Sequence, residues 1–173
     1  MDERDSEVVL EYLKRKQLEE YLIDNQKYLY RIAFSYVKNK DDAFEIVQNT
    51  IYKALSSIKS LKDTKLMKPW ITSILINNCF DFIRGSKKIV LNDEIFDTTD
   101  GEELNVLDKI VLEKAMDKLA PKLKTIIILR FFEDFKIKDI SQILDMKENT
   151  VKTNLYKALK ILKINMEEDL ANV

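Results

Sequence analysis

Apolar residues recur at three- and four-residue steps in two short stretches near the carboxyl end, the spacing that gives a helix one buried stripe. The first stretch carries Ile137, Ile140, Ile143 and Leu144, and the second carries Val151, Leu155, Ala158, Leu159 and Leu162. A polar corner, Asp145-Met146-Lys147, separates them. Two helices joined by so short a turn form a helix-turn-helix, so residues 136–163 predict that motif.

The second of these helices also carries a polar stripe, well away from the apolar one at about 100° per residue. Its members are Asn149, Lys152, Thr153, Tyr156, Lys160 and Lys163, with Lys157 at the edge. Amide and hydroxyl groups suit base edges in a major groove, and lysines suit phosphates. An isolated lysine stripe is more often a solvated surface, so this pattern alone leaves DNA binding and an ordinary exposed face both open.

Further helices are predicted before residue 86. Residues 6–38 form one long helix or two abutting ones. Asp41 and Asp42 suit the first turn of a helix over about residues 42–58, where carboxylates meet free amide groups. That helix is expected to bury Ala43, Val47, Ile51, Ala54, Leu55 and Ile58 and to expose Glu45, Gln48 and Asn49. The last helix starts near Pro69-Trp70 and ends at Gly85, a residue suited to a left-handed terminator.

That last helix, WITSILINNCFDFIR, separates two faces. Its apolar face is expected to hold Ile71, Leu75, Cys79, Phe82 and Ile83, and its polar face Ser73, Asn77, Asp81 and Arg84. A solvated amphipathic face is one interpretation. The other notes the flanking cations and aromatic residues, which suit single-stranded nucleic acid through backbone attraction and base stacking: Lys59, Lys62, Lys65, Lys68, Trp70, Phe80, Lys87 and Lys88.

Residues 86–104 lose helical periodicity and gain acids, which is typical of a linker. Helicity resumes near Asn105, and Pro121 starts a helix that carries Leu123, Ile126, Ile127, Ile128 and Leu129. With only two glycines and two prolines in 173 residues, loop-rich and all-β folds are disfavoured. The predicted fold is all-α: two small helical domains joined by an acidic flexible linker, the C-terminal domain with a helix-turn-helix.

Composition removes several kinds of chemistry. The chain has no histidine, which excludes histidine acid–base catalysis and histidine–cysteine zinc sites, and it has no glycine-rich phosphate loop. No cofactor and no metal site are therefore expected. The single Cys79 is expected to be a buried thiol in a reducing cytoplasm. The amino terminus lacks a signal-peptide core and no apolar run reaches membrane-spanning length, so a cytoplasmic protein without direct membrane insertion is expected.

The net charge of −1 conceals an alternating distribution. Residues 25–85 carry ten basic and five acidic side chains, and residues 110–163 carry twelve and seven. Acids prevail in residues 1–24, 86–109 and 164–173. Opposed charges cancel in the total yet leave local fields that attract a polyanion, so the two basic modules favour nucleic-acid binding.

Both modules together resemble a bacterial sigma factor of the extracytoplasmic-function group of the sigma-70 family. DDAFEIVQNTIYKAL resembles the helix that docks on the clamp helices of the polymerase β′ subunit, and PWITSILINNCFDFIR resembles the promoter-melting helix. LAPKLKTIIILRFFEDFKIKDISQILDMKENTVKTNLYKAL resembles the fourth conserved region. The resemblance covers about residues 25–88 and 108–165.

The resemblance implies three interfaces. Core RNA polymerase would be bound through Asp42, Glu45, Gln48 and Asn49, with the flap of the β subunit as a second docking point. The −10 element of promoter DNA would be opened and held by Lys65, Lys68, Trp70, Asn77, Asp81 and Arg84. The −35 element would be read by Asn149, Lys152, Thr153, Tyr156, Lys157 and Lys160. Members of this group are commonly held inactive by an anti-sigma factor, which is a further implied partner.

The implied domains are a region 2-like domain at 25–88, a linker at 89–107 and a region 4-like domain at 108–173. An acidic extension at 1–24 precedes them and matches nothing. Some residues depart from the family pattern: Phe44 and Asn49 stand where acids are usual, and Asp145 and Asn149 replace glycines. Lys136 and Lys147 stand where a serine cap is common, so those helix starts need other partners.

Two other hypotheses stay open on the sequence. One is a helix-turn-helix regulator that binds DNA alone, usually as a dimer. The other is an enzyme that uses paired carboxylates with a metal, for which Asp41-Asp42 and Glu102-Glu103 are the tempting pairs. The first pair suits a helix start and the second lies in the linker. The leading hypothesis is an initiation factor with no catalytic activity of its own.

Overall fold

The computed structural model describes residues 3–85 and 106–171, and over these ranges the chain forms helices joined by short connections, with no strand. The α-helices are α1 (Glu3–Asp24), α2 (Gln26–Val37), α3 (Lys40–Ser56), α4 (Met67–Gly85), α5 (Val106–Asp117), α6 (Pro121–Ile127), α7 (Ile137–Ile143) and α8 (Glu148–Ala171). The described residues divide into two compact units, residues 3–85 and residues 106–171. The predicted all-α, two-domain fold is confirmed, while most of the predicted linker at 89–107 lies outside the described residues.

The N-terminal unit is built on three mutually packed helices. Each of α2, α3 and α4 contacts the other two. Their shared core is apolar and almost fully withdrawn from solvent: Leu29, Ile32, Ala33, Ile46, Ile71 and Leu75. Burial of such side chains stabilises a fold by about 1.5–3 kcal/mol each, so this core fixes the relative positions of the helices that carry the candidate site.

Residues 6–38 form two helices rather than one, with the break at Asn25. There the Asn25 Nδ2 donates to the carbonyl oxygen of Tyr21 at 2.8 Å. The second half of α1 packs into the unit through the buried Leu18 and Leu22. Lys14 Nζ also donates to the carbonyl oxygen of Leu61. The acidic extension, for which the sequence offered no role, thus supplies part of the N-terminal core.

Within α3 the buried set differs from the predicted one. Ala43, Val47 and Ala54 are buried as predicted, but Ile46 and Thr50 join them, while Ile51 and Leu55 are half-buried. The helix ends at Ser56, and Ile58 is buried in a separate 3-10 turn, Ile58–Ser60. A second 3-10 turn, Thr64–Leu66, leads into α4. The apolar spacing found the buried face but missed the polar Thr50 within it.

The C-terminal unit is organised around α8, which contacts α5, α6 and α7. The predicted helix start at Pro121 is confirmed, and the apolar residues that follow it are buried: Leu123, Ile126, Ile127, Ile128 and Leu129. Beyond α6 the backbone widens into a π-helical turn, Ile128–Phe132, whose Phe131 and Phe132 are exposed. At the far end of α8, Asn165 Nδ2 donates to the carbonyl oxygen of Ala115 and Lys118 pairs with Asp169.

Candidate functional site

The outer face of α3 carries the four predicted polymerase contacts. Asn39 caps the helix, and its Oδ1 accepts from the backbone N–H of Asp42 at 3.0 Å. Asp41 and Asp42 lie in the first turn, where carboxylates are stabilised by the unpaired amide groups. Asp42 is half-buried, while Glu45, Gln48 and Asn49 are exposed. The structure therefore brings all four onto one helix, and their contact with polymerase stays a prediction.

Two aromatic residues on the same helix were not predicted as contacts. Tyr52 is 73% exposed and Phe44 is 60% exposed. At about 100° per residue, Tyr52 lies between Gln48 and Asn49 on the helix surface. Exposed aromatic residues anchor many protein interfaces. Their spacing of four residues on either side of Gln48 is the sequence signal that could have identified them.

The segment that enters α4 is held by local hydrogen bonds. Asp63 Oδ1 accepts from the backbone N–H of Lys65 at 2.9 Å, and Trp70 Nε1 donates to Ser60 Oγ at 3.2 Å. Lys65 and Lys68 are exposed, and Trp70 is half-buried. The indole thus joins the start of α4 to the first 3-10 turn, Ile58–Ser60. This hydrogen bond holds the lysine-bearing connection between that turn and α4 close to the helix.

Most of the predicted −10 residues share one face of α4. Trp70, Asn77, Asp81 and Arg84 fall within a narrow sector at about 100° per residue. Asn77 is exposed, and among the described residues no hydrogen bond engages its amide. The Arg84 guanidinium donates to Asp81 Oδ1, so these two exposed charges partly neutralise each other. The face therefore offers a free amide and an aromatic edge more than net positive charge.

Lys68 does not share this face. Its position is about half a turn of helix from that of Asn77. Its ammonium lies 5.5 Å from the centroid of the Tyr28 ring, a cation–π distance. A role for Lys68 at the −10 element stays a prediction, and it would act from the edge of the interface rather than beside Asn77.

The opposite side of α4 is buried and holds both apolar and polar side chains. Ile71, Leu75 and Cys79 are buried as predicted, whereas Phe82 and Ile83 are half-buried. The predicted burial of the Cys79 thiol is confirmed, and desolvation by that burial raises its pKa to about 12. Gly85 ends the helix without a left-handed φ, so the predicted glycine terminator is wrong.

A buried polar link between α3 and α4 was missed by the sequence. Asn78 is 6% exposed, its Nδ2 donates to Thr50 Oγ1 at 2.9 Å, and its Oδ1 accepts from Lys53 Nζ. Asn78 follows Asn77 directly, and a turn of about 100° between successive helical residues directs Asn77 to solvent and Asn78 into the core. Helical spacing places position 78 on the buried face of α4, and a polar residue there was the sequence signal that could have indicated this link.

The helix-turn-helix forms as predicted. Asp145 adopts a left-handed conformation with φ 50°, so aspartate takes the place of a turn glycine. The backbone N–H of Met146 donates to the carbonyl oxygen of Ser141 at 2.9 Å, which closes the corner. At the start of α7, where Lys136 supplies no cap, Asp139 Oδ2 accepts from the backbone N–H of Lys136 at 3.2 Å. Ile140, Ile143 and Val151 are buried between the helices.

All six predicted −35 residues are exposed on α8: Asn149, Lys152, Thr153, Tyr156, Lys157 and Lys160. Tyr156 is 73% exposed. Thr153 Oγ1 donates to the carbonyl oxygen of Asn149, which orients the first turns of the face. Leu159 is exposed rather than core, so its predicted place in the buried stripe is wrong; Val151, Ala158 and Leu162 suffice to bury the other side.

Other kinds of site find little support. Within residues 3–85 and 106–171, no group of three or more metal-ligating side chains occurs. Asp41-Asp42 begins α3, and Glu102-Glu103 falls outside the described residues. Among the helices described, none combines the length and apolar character that a membrane span requires.

Comparison with known proteins identifies both modules. Residues 22–89 match the family described as Sigma-70 region 2, and residues 109–162 match that described as Sigma-70, region 4. RNA polymerase sigma factor SigV of Bacillus subtilis is 44% identical over 167 residues, covering 92% of this chain and 100% of the relative. ECF RNA polymerase sigma factor SigX of the same organism is 26% identical, covering 80% and 78%.

A solved structure shares the fold. The sigma factor RpoE of Bartonella quintana, crystallised in complex with the anti-sigma factor NepR, superposes with a TM-score of 0.73 at 22% identity. The match covers 88% of this chain and 98% of that one. The family relationship favours an initiation factor over a regulator that binds DNA alone or a metal enzyme. The chain belongs to the sigma-70 family of RNA polymerase sigma factors, in its extracytoplasmic-function group.

Proposed function

We propose that this sigma factor binds core RNA polymerase through α3, opens the −10 element with α4 and reads the −35 element with α8. The exposed face of Trp70, Asn77, Asp81 and Arg84 carries the proposal, because it lies on the buried central helix of the region 2 match. A helix-turn-helix is common to many DNA-binding proteins, whereas this face beside a cation-bearing connection suits single-stranded DNA.

Polymerase docking uses the outer side of α3. Glu45, Gln48 and Asn49 are exposed there and supply hydrogen-bonding groups, with Tyr52 as an apolar anchor beside them. The clamp helices of the β′ subunit are the proposed partner of this face. The flap of the β subunit is the proposed partner of the C-terminal unit, so each unit holds core polymerase at a separate point.

Opening of the −10 element depends on capture of an unstacked base. Asn77 presents an amide with two donors and an acceptor, and its neighbours on the face leave it accessible. A base held by that amide is withdrawn from the duplex, and the energy of the new contacts offsets the cost of unpairing, a few kcal/mol. The exposed Lys65 lies before α4, where it would attract the strand's phosphates.

Reading of the −35 element is assigned to the exposed face of α8. A recognition helix places its amino-terminal residues in the major groove. Asn149, Thr153 and Tyr156 would meet base edges, while Lys152, Lys157 and Lys160 would meet phosphates. Each phosphate neutralised releases counterions, so promoter binding should weaken as salt rises.

Regulation and location complete the proposal. The RpoE of similar fold was crystallised with an anti-sigma factor, and a protein of that class is the proposed inhibitor of this chain. The chain is proposed to act in the cytoplasm, where core polymerase and promoters lie. It is also proposed to have no catalytic activity of its own, since polymerase performs the chemistry.

Reconstitution with sigma-free core polymerase tests the proposal. Discrete promoter-dependent transcripts from genomic fragments are expected with the purified chain, and none with core alone. The matched control is the chain with both Gln48→Ala and Tyr52→Ala, which should not recruit core. Absence of transcripts together with absence of core binding would overturn the proposal, and a gel shift without polymerase would then favour an autonomous regulator.

A further inference from the structure

We propose that Asn78 is a positioning residue that fixes α4 against α3, so that its neighbour Asn77 meets the melted DNA strand in one orientation. The inference rests on the proposed function of Asn77. The proposed DNA face depends on more than its exposed residues. The buried hydrogen bonds of Asn78, beneath that face, set the direction in which it points.

The link is a chain of three hydrogen bonds. Asn78 Nδ2 donates to Thr50 Oγ1 at 2.9 Å, and Thr50 in turn donates to the carbonyl oxygen of Ile46 at 2.8 Å. Lys53 Nζ donates to Asn78 Oδ1 from the edge of the core. Thr50 is fully buried and Asn78 nearly so. The ammonium of Lys53 can only donate, and the hydroxyl proton of Thr50 goes to Ile46, so Oδ1 of Asn78 faces Lys53 and its Nδ2 faces Thr50.

An apolar residue at position 78 would give the helices more freedom. Hydrophobic contact is non-directional. It therefore resists a small rotation or sliding of a helix less than a hydrogen bond between two fixed groups does. A rotation of about 20° moves a side-chain tip at a radius of about 6 Å by about 2 Å. Binding constellations lose their effect at displacements of about 1 Å, so Asn77 depends on the rotation of α4.

The partners of Asn78 lie on the helix proposed to dock on polymerase. Thr50 and Lys53 belong to α3, whose outer face carries Gln48 and Asn49. The link therefore joins the helix anchored on core polymerase to the helix that holds DNA. Through it, the position of Asn77 relative to the polymerase is fixed by hydrogen bonds rather than by apolar contact alone.

The test is a double-mutant cycle in the reconstituted holoenzyme. Asn78→Leu, Asn77→Ala and the double variant are compared for core affinity and for open-complex formation, detected by the chemical reactivity of unpaired thymines. Asn78→Leu should reduce open complexes about tenfold, with core affinity within about twofold of wild type. In the Asn77→Ala background it should add less than about a twofold further loss, because its effect passes through Asn77.

Two further variants guard against a merely structural explanation. Thr72→Val removes another buried interhelical hydrogen bond of α4, that with Tyr28 OH at 2.8 Å, and should leave opening within about twofold of wild type. Thr50→Val removes the acceptor of Asn78 with little change of shape and should reduce opening severalfold. It decides the matter if Asn78→Leu does not fold.

The outcomes separate the two proposals. Unchanged opening in both Asn78→Leu and Thr50→Val, an equal defect in Thr72→Val, or independent losses from Asn77 and Asn78 would overturn the positioning role. Unchanged opening in Asn77→Ala would instead overturn the proposed role of Asn77, and the inference with it. An impaired Asn77→Ala beside normal opening in both Asn78→Leu and Thr50→Val refutes the inference alone.

Discussion

The two candidate DNA faces, one on α4 and one on α8, are built on opposite plans. The α4 face is a narrow exposed strip on a helix whose other sides are buried, and its cation Arg84 is paired with Asp81. The α8 face is broad and carries Lys152, Lys157 and Lys160, all exposed. We infer that α4 acts through orientation and base contacts, whereas α8 combines base contacts with attraction to phosphates.

The difference suits the form of DNA that each face is proposed to meet. Duplex DNA has a dense line of phosphates, for which exposed lysines supply affinity. An unstacked base is recognised by stacking and edge hydrogen bonds, which demand accurate placement of a few groups. A mostly buried helix such as α4 holds its exposed groups accurately but exposes little surface. A surface helix such as α8 exposes more surface but is held less rigidly.

The largest expected effect is that of Asn77→Ala. Loss of one well-oriented amide contact costs about 1–3 kcal/mol, so open-complex formation should fall roughly ten- to a hundredfold. Core binding should be unchanged, since Asn77 lies on α4 and not on α3. Thymine reactivity and a core-affinity assay on the same preparation measure both. A loss of core binding would contradict the separation of the two faces.

Tyr156→Ala should have the next largest effect, on −35 recognition. The exposed ring loses its base contact, and promoter binding should weaken about tenfold. The measurement is transcription from promoters with intact and mutated −35 elements. Mutation of the −35 element should reduce transcription by the variant less than transcription by wild type. This difference between the two proteins should be the same on a promoter whose −10 element is already unpaired. Equal responses would remove Tyr156 from the interface.

The lysines of α8 should change salt dependence more than specificity. Replacing Lys157 or Lys160 by glutamine should reduce the slope of log affinity against log salt by about one unit for each phosphate that the variant no longer neutralises. Arg84→Gln on α4 is the matched comparison and should change the slope less, because Asp81 already neutralises that cation. If the α8 and α4 variants reduced the slope equally, the proposed difference between the two faces would be wrong.

The smallest effect concerns the buried side of α4. Burial raises the pKa of Cys79 from its ordinary value of 9.0 to about 12, so the thiol stays neutral in the folded chain while it ionises in the unfolded one. Its contribution to stability is complete below pH 9 and declines as the pH rises toward 12. Near pH 10 the loss should be on the order of 1 kcal/mol.

Chemical unfolding of wild type and Cys79→Ala between pH 8 and pH 10 measures this loss as a difference in slope. Wild type should lose more stability over that interval, although Cys79→Ala is the less stable protein at pH 8 because of its cavity. Identical slopes would show that water reaches the thiol and that the buried side of α4 is open to solvent.

The sequence predicted features that depend on periodicity and failed where tertiary contacts decide. The helix-turn-helix, the start at Pro121 and the exposed stripe of α8 follow from apolar spacing and local backbone preference. Helical spacing places Asn78 on the buried face of α4, but its hydrogen-bond partner Thr50 is 28 residues away and depends on how α3 and α4 pack. Leu159 was assigned to the core by spacing, yet the other helices leave it exposed.

The N-terminal helix illustrates the same limit. An acidic segment is typical of a solvated extension, and the burial of Leu18 and Leu22 depends on helices that follow in the chain. The contacts of the site residues with polymerase and DNA remain predictions, because they involve molecules outside the chain. What the fold supplies is their arrangement: four residues on α3, a strip on α4 and a broad face on α8.

The length of α8 has a mechanical consequence. Its 24 residues extend about 36 Å. One continuous helix carries the proposed base-contacting residues in its first turns and, in its last turns, Asn165 and Asp169, which bond to Ala115 and Lys118. We infer that a small tilt at these last turns would move Asn149 and Thr153 by a larger distance, so contacts remote from the proposed DNA face would influence the accuracy of promoter reading.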